Sequence, residues 1–203
     1  MYLLFETIKV IDGQPVNLEY HEERMKMSCL TYFGESCKFS LISKWECPEK
    51  YQQGIVKCRV SYNQDHFIKQ FSVYKYQTAN TFRLVESGHL DYSLKYIDRS
   101  RINLLMEDSD KFDDIILIKG GLVTDSSYAN LVFQKSGINY TPEFALLNGT
   151  KRQFYLDNGK ISLASIGVEN FQEYDKVTRI NAMIDLEDAD WVDVGRIDLG
   201  DFI

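Results

Sequence analysis

Three places in this sequence carry side chains able to do chemistry, and none of them declares its role in isolation. Asn148-Gly149-Thr150 stands just before a predicted helix. Free N–H groups at a helix start, a hydroxyl and the nearby Lys151 or Arg152 would suit a phosphate, although the same residues also make an ordinary helix cap. Arg24 lies one turn into another predicted helix beside His21, as a phosphate cation or as a solvated charge. Lys95, flanked by Leu94, Tyr96 and Ile97, reads as a half-buried amine or as one more surface lysine. The distinction matters because a lysine attacks only as a neutral amine, a form that partial burial favours.

The bulk composition removes other classes of function. A formal net charge of −7 with no basic stretch argues against wrapping nucleic acid. Any anion site must therefore be built locally, from a few cations and backbone N–H groups. Cys29, Cys37, Cys47 and Cys58 are 8, 10 and 11 residues apart, and His21, His66 and His89 are scattered. That spacing fits no metal cluster, and the cysteines read as reduced, small core residues. The opening MYLLFETIKVIDG holds Glu6 and Lys9 within its apolar stretch, so it reads as a strand rather than a signal peptide or a membrane span. A soluble, cytoplasmic protein is expected, with no membrane partner.

Positioning these residues takes a series of short elements. Residues 2–11 alternate as a strand, Asp12-Gly13 marks a tight turn, and a short strand follows at 15–18. Helical spacing runs from Glu19 to Phe33, with Gly34 as C-cap. A second helix is expected over Pro48 to Gln53, then a hairpin of 55–62 and 66–76 around Asn63-Gln64-Asp65, then a strand near 81–86. Beyond Gly88 the pattern predicts a helix from Tyr96 to Met106, strand–turn–strand over 115–123, and a strand at 129–134. A chain break follows at Thr141-Pro142, then a short helix at 150–157 and strands at 161–166 and 176–184. The class is α+β in two lobes. The expected boundary falls in the polar segment 86–92, separating a smaller lobe, 1–86, from a larger one, 87–203.

Order and spacing give the candidates a common meaning. The chain resembles fold-type IV enzymes of pyridoxal 5'-phosphate (PLP), the group of branched-chain aminotransferases, D-amino-acid aminotransferases and aminodeoxychorismate lyases. Phe5-Glu6-Thr7-Ile8 is similar to the family's Phe-Glu-Thr strand, and His21-x-x-Arg24 with Ser28 to its phosphate-binding helix. Leu94-Lys95-Tyr96-Ile97-Asp98-Arg99 resembles the segment around the Schiff-base lysine. Thirty positions on, Val123-Thr124-Asp125-Ser126-Ser127-Tyr128-Ala129-Asn130-Leu131 resembles Val-Thr-Glu-Gly-x-x-x-Asn-Leu. Tyr140-Thr141-Pro142 follows, Leu147-Asn148-Gly149-Thr150-Lys151-Arg152 matches Leu-x-Gly-Ile-Thr-Arg, and Ile180-Asn181-Ala182-Met183 resembles the lyases' Asn-Ala-Leu loop. The likeness spans about residues 4 to 184.

What the resemblance implies is a two-lobed architecture like that of D-amino-acid aminotransferase, with Lys95 in the larger lobe holding PLP and moving the substrate proton. Asp125 would face the ring nitrogen, where the family has a glutamate one carbon longer; a carboxylate there favours the protonated ring. Arg24, Gly149, the Thr150 hydroxyl and the amides of Thr150 and Lys151 would receive the phosphate. The family's Ile-Thr is here Thr-Lys, which makes Lys151 an extra cation. Asn130 would hold the turn after Asp125. Asn181 and Ala182 would make a last phosphate-side contact, and Arg99 is either a site residue or a solvated charge. Relatives usually carry some twenty-odd residues before the Phe-Glu-Thr strand, which this chain reaches almost at once. The family also implies a homodimer and a small-molecule amino substrate.

The Asn181-Ala182-Met183 loop and the Asn-Gly-x-x-Arg-Gln-Phe run at 148–154 lean towards an aminodeoxychorismate lyase. An aminotransferase for branched-chain or D-amino acids is the alternative, and a PLP-binding relative with little turnover is a third. Lys57, Arg59 and Arg83 are possible partners for a substrate carboxylate, or strand-surface charges.

Overall fold

The computed structural model describes residues 2–107, 109 and 111–202. Its chain divides into two units, Met1–Tyr76 with Leu94–Asp98, and Gln77–Ser93 with Arg99–Ile203.

In the first unit, period-2 alternation makes β1 (Leu4–Ile11), which turns at Asp12-Gly13 into the two-residue β2 (Gln14–Pro15). α1 (Leu18–Phe33) follows and stops at Gly34, whose φ of 80° suits glycine and whose N–H donates to Leu30 O at 3.0 Å. The expected hairpin is present as β3 (Ile55–Tyr62) and β4 (Phe67–Val73), and the sheet runs β2-β1-β3-β4, all antiparallel. Leu4, Ile8 and Val10 face a core shared with Met25 and Cys29 of α1 and with Val56, Cys58, Val60 and Tyr62 of β3. Alternation places Glu6 in that inward row and Phe5, Thr7 and Lys9 on the opposite face. Glu22 ties α1 to the following loop by accepting hydrogen bonds from Ser40 Oγ at 2.9 Å and Ile42 N at 2.7 Å.

The second unit is built on an eight-stranded sheet. β5 (Phe82–Glu86) is followed by α2 (Ser100–Glu107), and β5 lies parallel to β6 (Asp114–Lys119). β6 turns through Gly120-Gly121 into β7 (Leu122–Ser126), then come β8 (Asn130–Lys135) and β9 (Ile138–Pro142). α3 (Thr150–Asp157), β10 (Ser162–Ala164), β11 (Lys176–Ile180) and β12 (Val192–Asp193) complete it. β8 pairs with β11 along one edge and with β7 and β9 along the other. Its Leu131 and Phe133 enter one core, while Val132 packs with Tyr155 of α3 in another. Burial on both faces is why this strand reads as a nearly continuous apolar run.

A buried ion pair supports the loop after β7. Asp114 accepts from Arg179 Nη1 at 2.9 Å, Ile115 N at 2.8 Å and Ser127 N at 3.1 Å. Arg179 also donates to Gln77 O at 3.0 Å and to the Tyr128 hydroxyl.

Several expectations change. The 86/87 boundary differs from the observed division, because β5 hydrogen-bonds to β6 and so belongs to the second unit. The Lys95 segment, expected in the larger lobe, groups with the first unit because Leu94–Asp98 pairs with β1. The helix expected from Tyr96 begins at Ser100, since Tyr96 forms a β-bridge with Leu4. The helix expected over 48–53 is one 3-10 turn, Glu49–Tyr51. The cysteines are not all reduced: Cys29 and Cys37 form a disulfide, their Cα atoms 5.6 Å apart once α1 ends at Gly34 and the chain folds back. Cys47 and Cys58 remain thiols. Among the described residues no helix is long and apolar enough to cross a membrane.

Removing Arg179 would leave Asp114 buried without its counter-charge. We expect Arg179→Leu to lower the unfolding free energy by about 3–5 kcal/mol, read by urea denaturation. The Asp114→Asn/Arg179→Leu pair should recover part of that loss.

Candidate active site

Lys95 sits on an extended stretch beside the start of β1. Phe5 N donates to Lys95 O at 3.0 Å and Ile97 N to Leu3 O at 2.9 Å. The Lys95 carbonyl and the Ile97 N–H are therefore both paired with β1 or its approach, and Lys95 is partly buried. Its amine lies over the Phe5 ring, 4.7 Å from the centroid, and the Arg59 guanidinium lies over the same ring at 3.8 Å. Position is set here by main-chain pairing, which no helical spacing around Lys95 could have shown.

Behind this strand face lies a buried carboxylate. Glu6 is fully buried and receives His21 Nδ1 at 2.7 Å, Arg24 Nε at 2.9 Å and Arg24 Nη2. Burial alone would raise the Glu6 carboxyl, but Arg24 and His21 more than offset it and hold it down at about 2. His21 is lowered, chiefly by burial, against the pull of Glu6. An ionised Glu6 fixes the tautomer, so His21 Nδ1 carries the proton and donates it. Arg24, expected as a phosphate cation, turns its Nε and Nη2 edge onto Glu6. One signal for this anchor was visible in the chain: a glutamate at an inward position of an alternating strand.

The second unit gathers a different set. Asp125 is buried, accepting from Asn130 Nδ2 at 2.7 Å and from Leu147 N at 2.8 Å. Burial raises its carboxyl to about 6, partly offset by these two donors and by the charge of Arg152. Asn130 Nδ2 also donates to Leu147 O at 2.9 Å, so one amide joins the start of β8 to the approach to α3. Gly149 lies against that amide: a Cβ there would fall 1.8 Å from Asn130 Oδ1. This close approach, rather than an unusual φ, is what excludes a side chain at 149.

Thr150 and Lys151 open the first turn of α3, where the preceding Gly149 makes no side-chain cap. Their N–H groups and the Thr150 hydroxyl stand at the positive end of the helix. The Lys151 amine, expected as an extra phosphate cation, instead pairs with Asp185. Arg152 is a tether: its guanidinium donates to Pro142 O at 2.8 Å, Asn148 Oδ1 at 3.1 Å and Thr141 Oγ1 at 3.2 Å. The Asn181 side chain accepts from Met183 N at 2.8 Å and Ile184 N at 3.1 Å, closing the turn that carries Ala182. Arg99 donates to Ser127 O and lies over the Tyr92 ring. Arg83 faces Asp198 at 3.6 Å, which accounts for its charge locally. Among the described residues, no group of acidic, cysteine and histidine side chains could hold a metal ion.

No family model matches the chain. It is 38% identical over 185 residues to an uncharacterized protein of Haemophilus influenzae, covering 90% of this chain and 98% of the relative. A solved structure of a candidate 4-amino-4-deoxychorismate lyase from Haemophilus somnus is 34% identical, with a TM-score of 0.83, and the match spans 90% of this chain and 97% of that one. The PLP-bound form of a hypothetical aminotransferase from Mycobacterium tuberculosis superposes at a TM-score of 0.75 with 15% identity, over 97% of this chain and 81% of that one. At that identity the likeness shows the shared fold alone.

Two outcomes follow from the second unit. The backbone angles at Gly149, φ −72° and ψ 135°, are open to alanine, so Gly149→Ala should lose about 2–3 kcal/mol through displacement of the Asn130 amide. In an Asn130→Ala background the same change should be nearly neutral, a double-mutant cycle read by urea unfolding. Asp125 has a folded pKa of about 6 against an ordinary 3.8. Its protonated form stabilises the ligand-free fold below the unfolded value, and that contribution is lost as pH rises to about 6. Relative to Asp125→Asn, the wild-type protein should therefore lose on the order of 3 kcal/mol between those limits.

Proposed function

Since this chain belongs to the fold-type IV family of PLP enzymes, we propose that it binds pyridoxal 5'-phosphate through Lys95 and acts as an aminodeoxychorismate lyase. The observation that carries the reading is Lys95 itself, pinned by its main chain to β1 with its amine over Phe5. The donor sets fit the cofactor in kind. Lys95 offers an amine for an aldehyde. Asp125 offers a buried carboxylate for a ring nitrogen, and its carboxyl, raised to about 6, would drop again beside a cation. The start of α3 offers amides and a hydroxyl for a phosphate. Bound PLP would supply an electron sink for the bond-breaking step.

In this reading Lys95 takes the proton from carbon 4 of 4-amino-4-deoxychorismate. The ring C3–O bond breaks, its electron pair leaves with the enolpyruvyl group, and that group takes up a proton to become pyruvate. The remaining ring is 4-aminobenzoate, so atoms and charge balance. Asp125 is held in place by Asn130 and Leu147 for the ring nitrogen, and Asn181 shapes the turn at Ala182. The choice of lyase over aminotransferase rests on the Asn181-Ala182-Met183 loop, the 148–154 run and the 34% identity to the Haemophilus somnus protein.

The test begins with the purified protein and PLP. Borohydride reduction should fix the cofactor on a single peptide, the one holding Lys95, and Lys95→Ala should abolish the label. A label on another lysine, or no uptake of PLP, would defeat the proposal. Incubation with 4-amino-4-deoxychorismate should release pyruvate and 4-aminobenzoate in equal amounts. Amino transfer to 2-oxo acids without pyruvate release would make the protein an aminotransferase instead.

A further inference from the structure

α3 is fastened to the segment 181–188 by two residues on one of its faces. Lys151 and Tyr155 are four positions apart, so their side chains leave the helix on the same side. The Lys151 amine pairs with Asp185 and lies 5.8 and 5.7 Å from the centroids of the Phe154 and Tyr155 rings. The Tyr155 hydroxyl accepts from Leu186 N at 2.8 Å and donates to Glu187 Oε2 at 2.8 Å. Three consecutive residues, 185–187, are therefore held by one helical turn. The stretch just before them is closed on itself, because Asn181 accepts from Met183 N at 2.8 Å and Ile184 N at 3.1 Å. The approach to α3 is in turn tied to Asp125, through Asn130 and the Leu147 main chain. One connected set of contacts thus runs from Asp125 through α3 to the Asn181 turn.

Packing alone does not call for a charge in this set. Ile180 and Leu186, which flank the 181–185 turn, already pack with Tyr155 in an apolar cluster. Yet Lys151 is only 4% exposed. Taking its ammonium out of water carries a large desolvation cost, which the carboxylate partner offsets, and apolar side chains of similar volume would stabilise the fold as well or better. What the ion pair adds is direction. Apolar contacts tolerate sliding, whereas a charge-assisted hydrogen bond fixes one register between the two segments.

We propose that the Lys151–Asp185 pair is a positioning device for the cofactor phosphate. It sets the spacing between the first turn of α3, with the Thr150 and Lys151 amides, and the Asn181 turn at Ala182. Lys151 acts through Asp185 rather than by touching the phosphate. It keeps the phosphate-binding main chain assembled before the ligand arrives, so that binding need not order it. The inference rests on the PLP reading above, and it adds the residues that set how much the phosphate contributes to cofactor affinity.

The experiment compares PLP with pyridoxal, which lacks the phosphate, by visible-absorption titration of the full chain freed of cofactor. The ratio of the two dissociation constants reports the phosphate alone. Lys151→Met, which keeps the side chain's length, should cut that ratio about tenfold. Asp185→Asn should cut it by a similar factor, and the double variant should go no further than either single one. Pyridoxal affinity should stay nearly constant throughout, whereas a merely structural role would weaken both ligands together. Lys135→Met, which breaks an exposed pair with Glu173, should leave the ratio unchanged. Melting temperatures control for misfolding, and Asp185→Asn carries the test if Lys151→Met does not fold. An unchanged ratio in the folded variants overturns the inference. So does tighter PLP binding by Asp185→Asn, the result expected if a freed Lys151 amine were itself the phosphate cation. A ratio that collapses in both variants of a protein that releases no pyruvate sustains the inference and removes only the lyase reaction. No uptake of PLP by the wild-type protein removes the cofactor reading and this inference with it.

Discussion

A carboxylate taken out of water must be paired, hydrogen-bonded or protonated, and that constraint organises both units. Three buried carboxylates show different answers. Glu6 is paired, between Arg24 and a histidine whose tautomer it dictates. Asp114 is paired and also capped by two main-chain N–H groups. Asp125 has hydrogen bonds but, among the described residues, no ion pair, and its carboxyl rises to about 6. The three solutions leave three different residues: two that lock the fold, and one that is electrostatically short of a cation. A protonated ring nitrogen is the kind of partner the last of these lacks, which is the physical content of assigning it to PLP.

The first strand does two jobs because a β-strand has two faces. Inward, Leu4, Ile8 and Val10 close the hydrophobic core, and Glu6 interrupts them to catch α1. Outward, Phe5, Thr7 and Lys9 line a polar face with Arg59 and Lys57. Its edge near Leu4 also receives the Lys95 stretch. A single-residue slip of β1 would therefore exchange core for surface, release Arg24 and move Phe5 from beneath Lys95. Few other segments of the chain carry so many consequences in eight residues.

In the second unit the equivalent economy is in one amide. Asn130 joins Asp125, Leu147 and Gly149, three residues from three separate stretches of chain. The Asp125-x-x-x-x-Asn130 spacing and the glycine at 149 are two halves of one packing arrangement. Arg152 and Asn181, which resemble cofactor-side residues by position, spend their side chains on tethering and on closing a turn. Their contribution to any ligand would come through the main chain they hold.

Local elements were legible in the chain. Period-2 and helical spacing located α1, the β3–β4 hairpin and α3 closely, because those patterns depend on near neighbours and on caps such as Gly34. The candidate set Arg24, Lys95, Asp125, Asn130 and Gly149-Thr150 acquired a common meaning only through the resemblance to fold-type IV enzymes, since each residue by itself also fits a surface charge or an ordinary cap. Tertiary structure decided what no local pattern encodes. It made Tyr96 extended where a helix is expected, because β1, some 90 residues earlier in the chain, supplies the hydrogen bonds of the stretch around Lys95. The Cys29–Cys37 disulfide, the commitment of Lys151 to Asp185 and the grouping of Leu94–Asp98 with the first unit have the same origin. Each depends on which distant residues the fold brings within a few ångströms, and burial then fixes the charge and hydrogen bonding those residues must adopt.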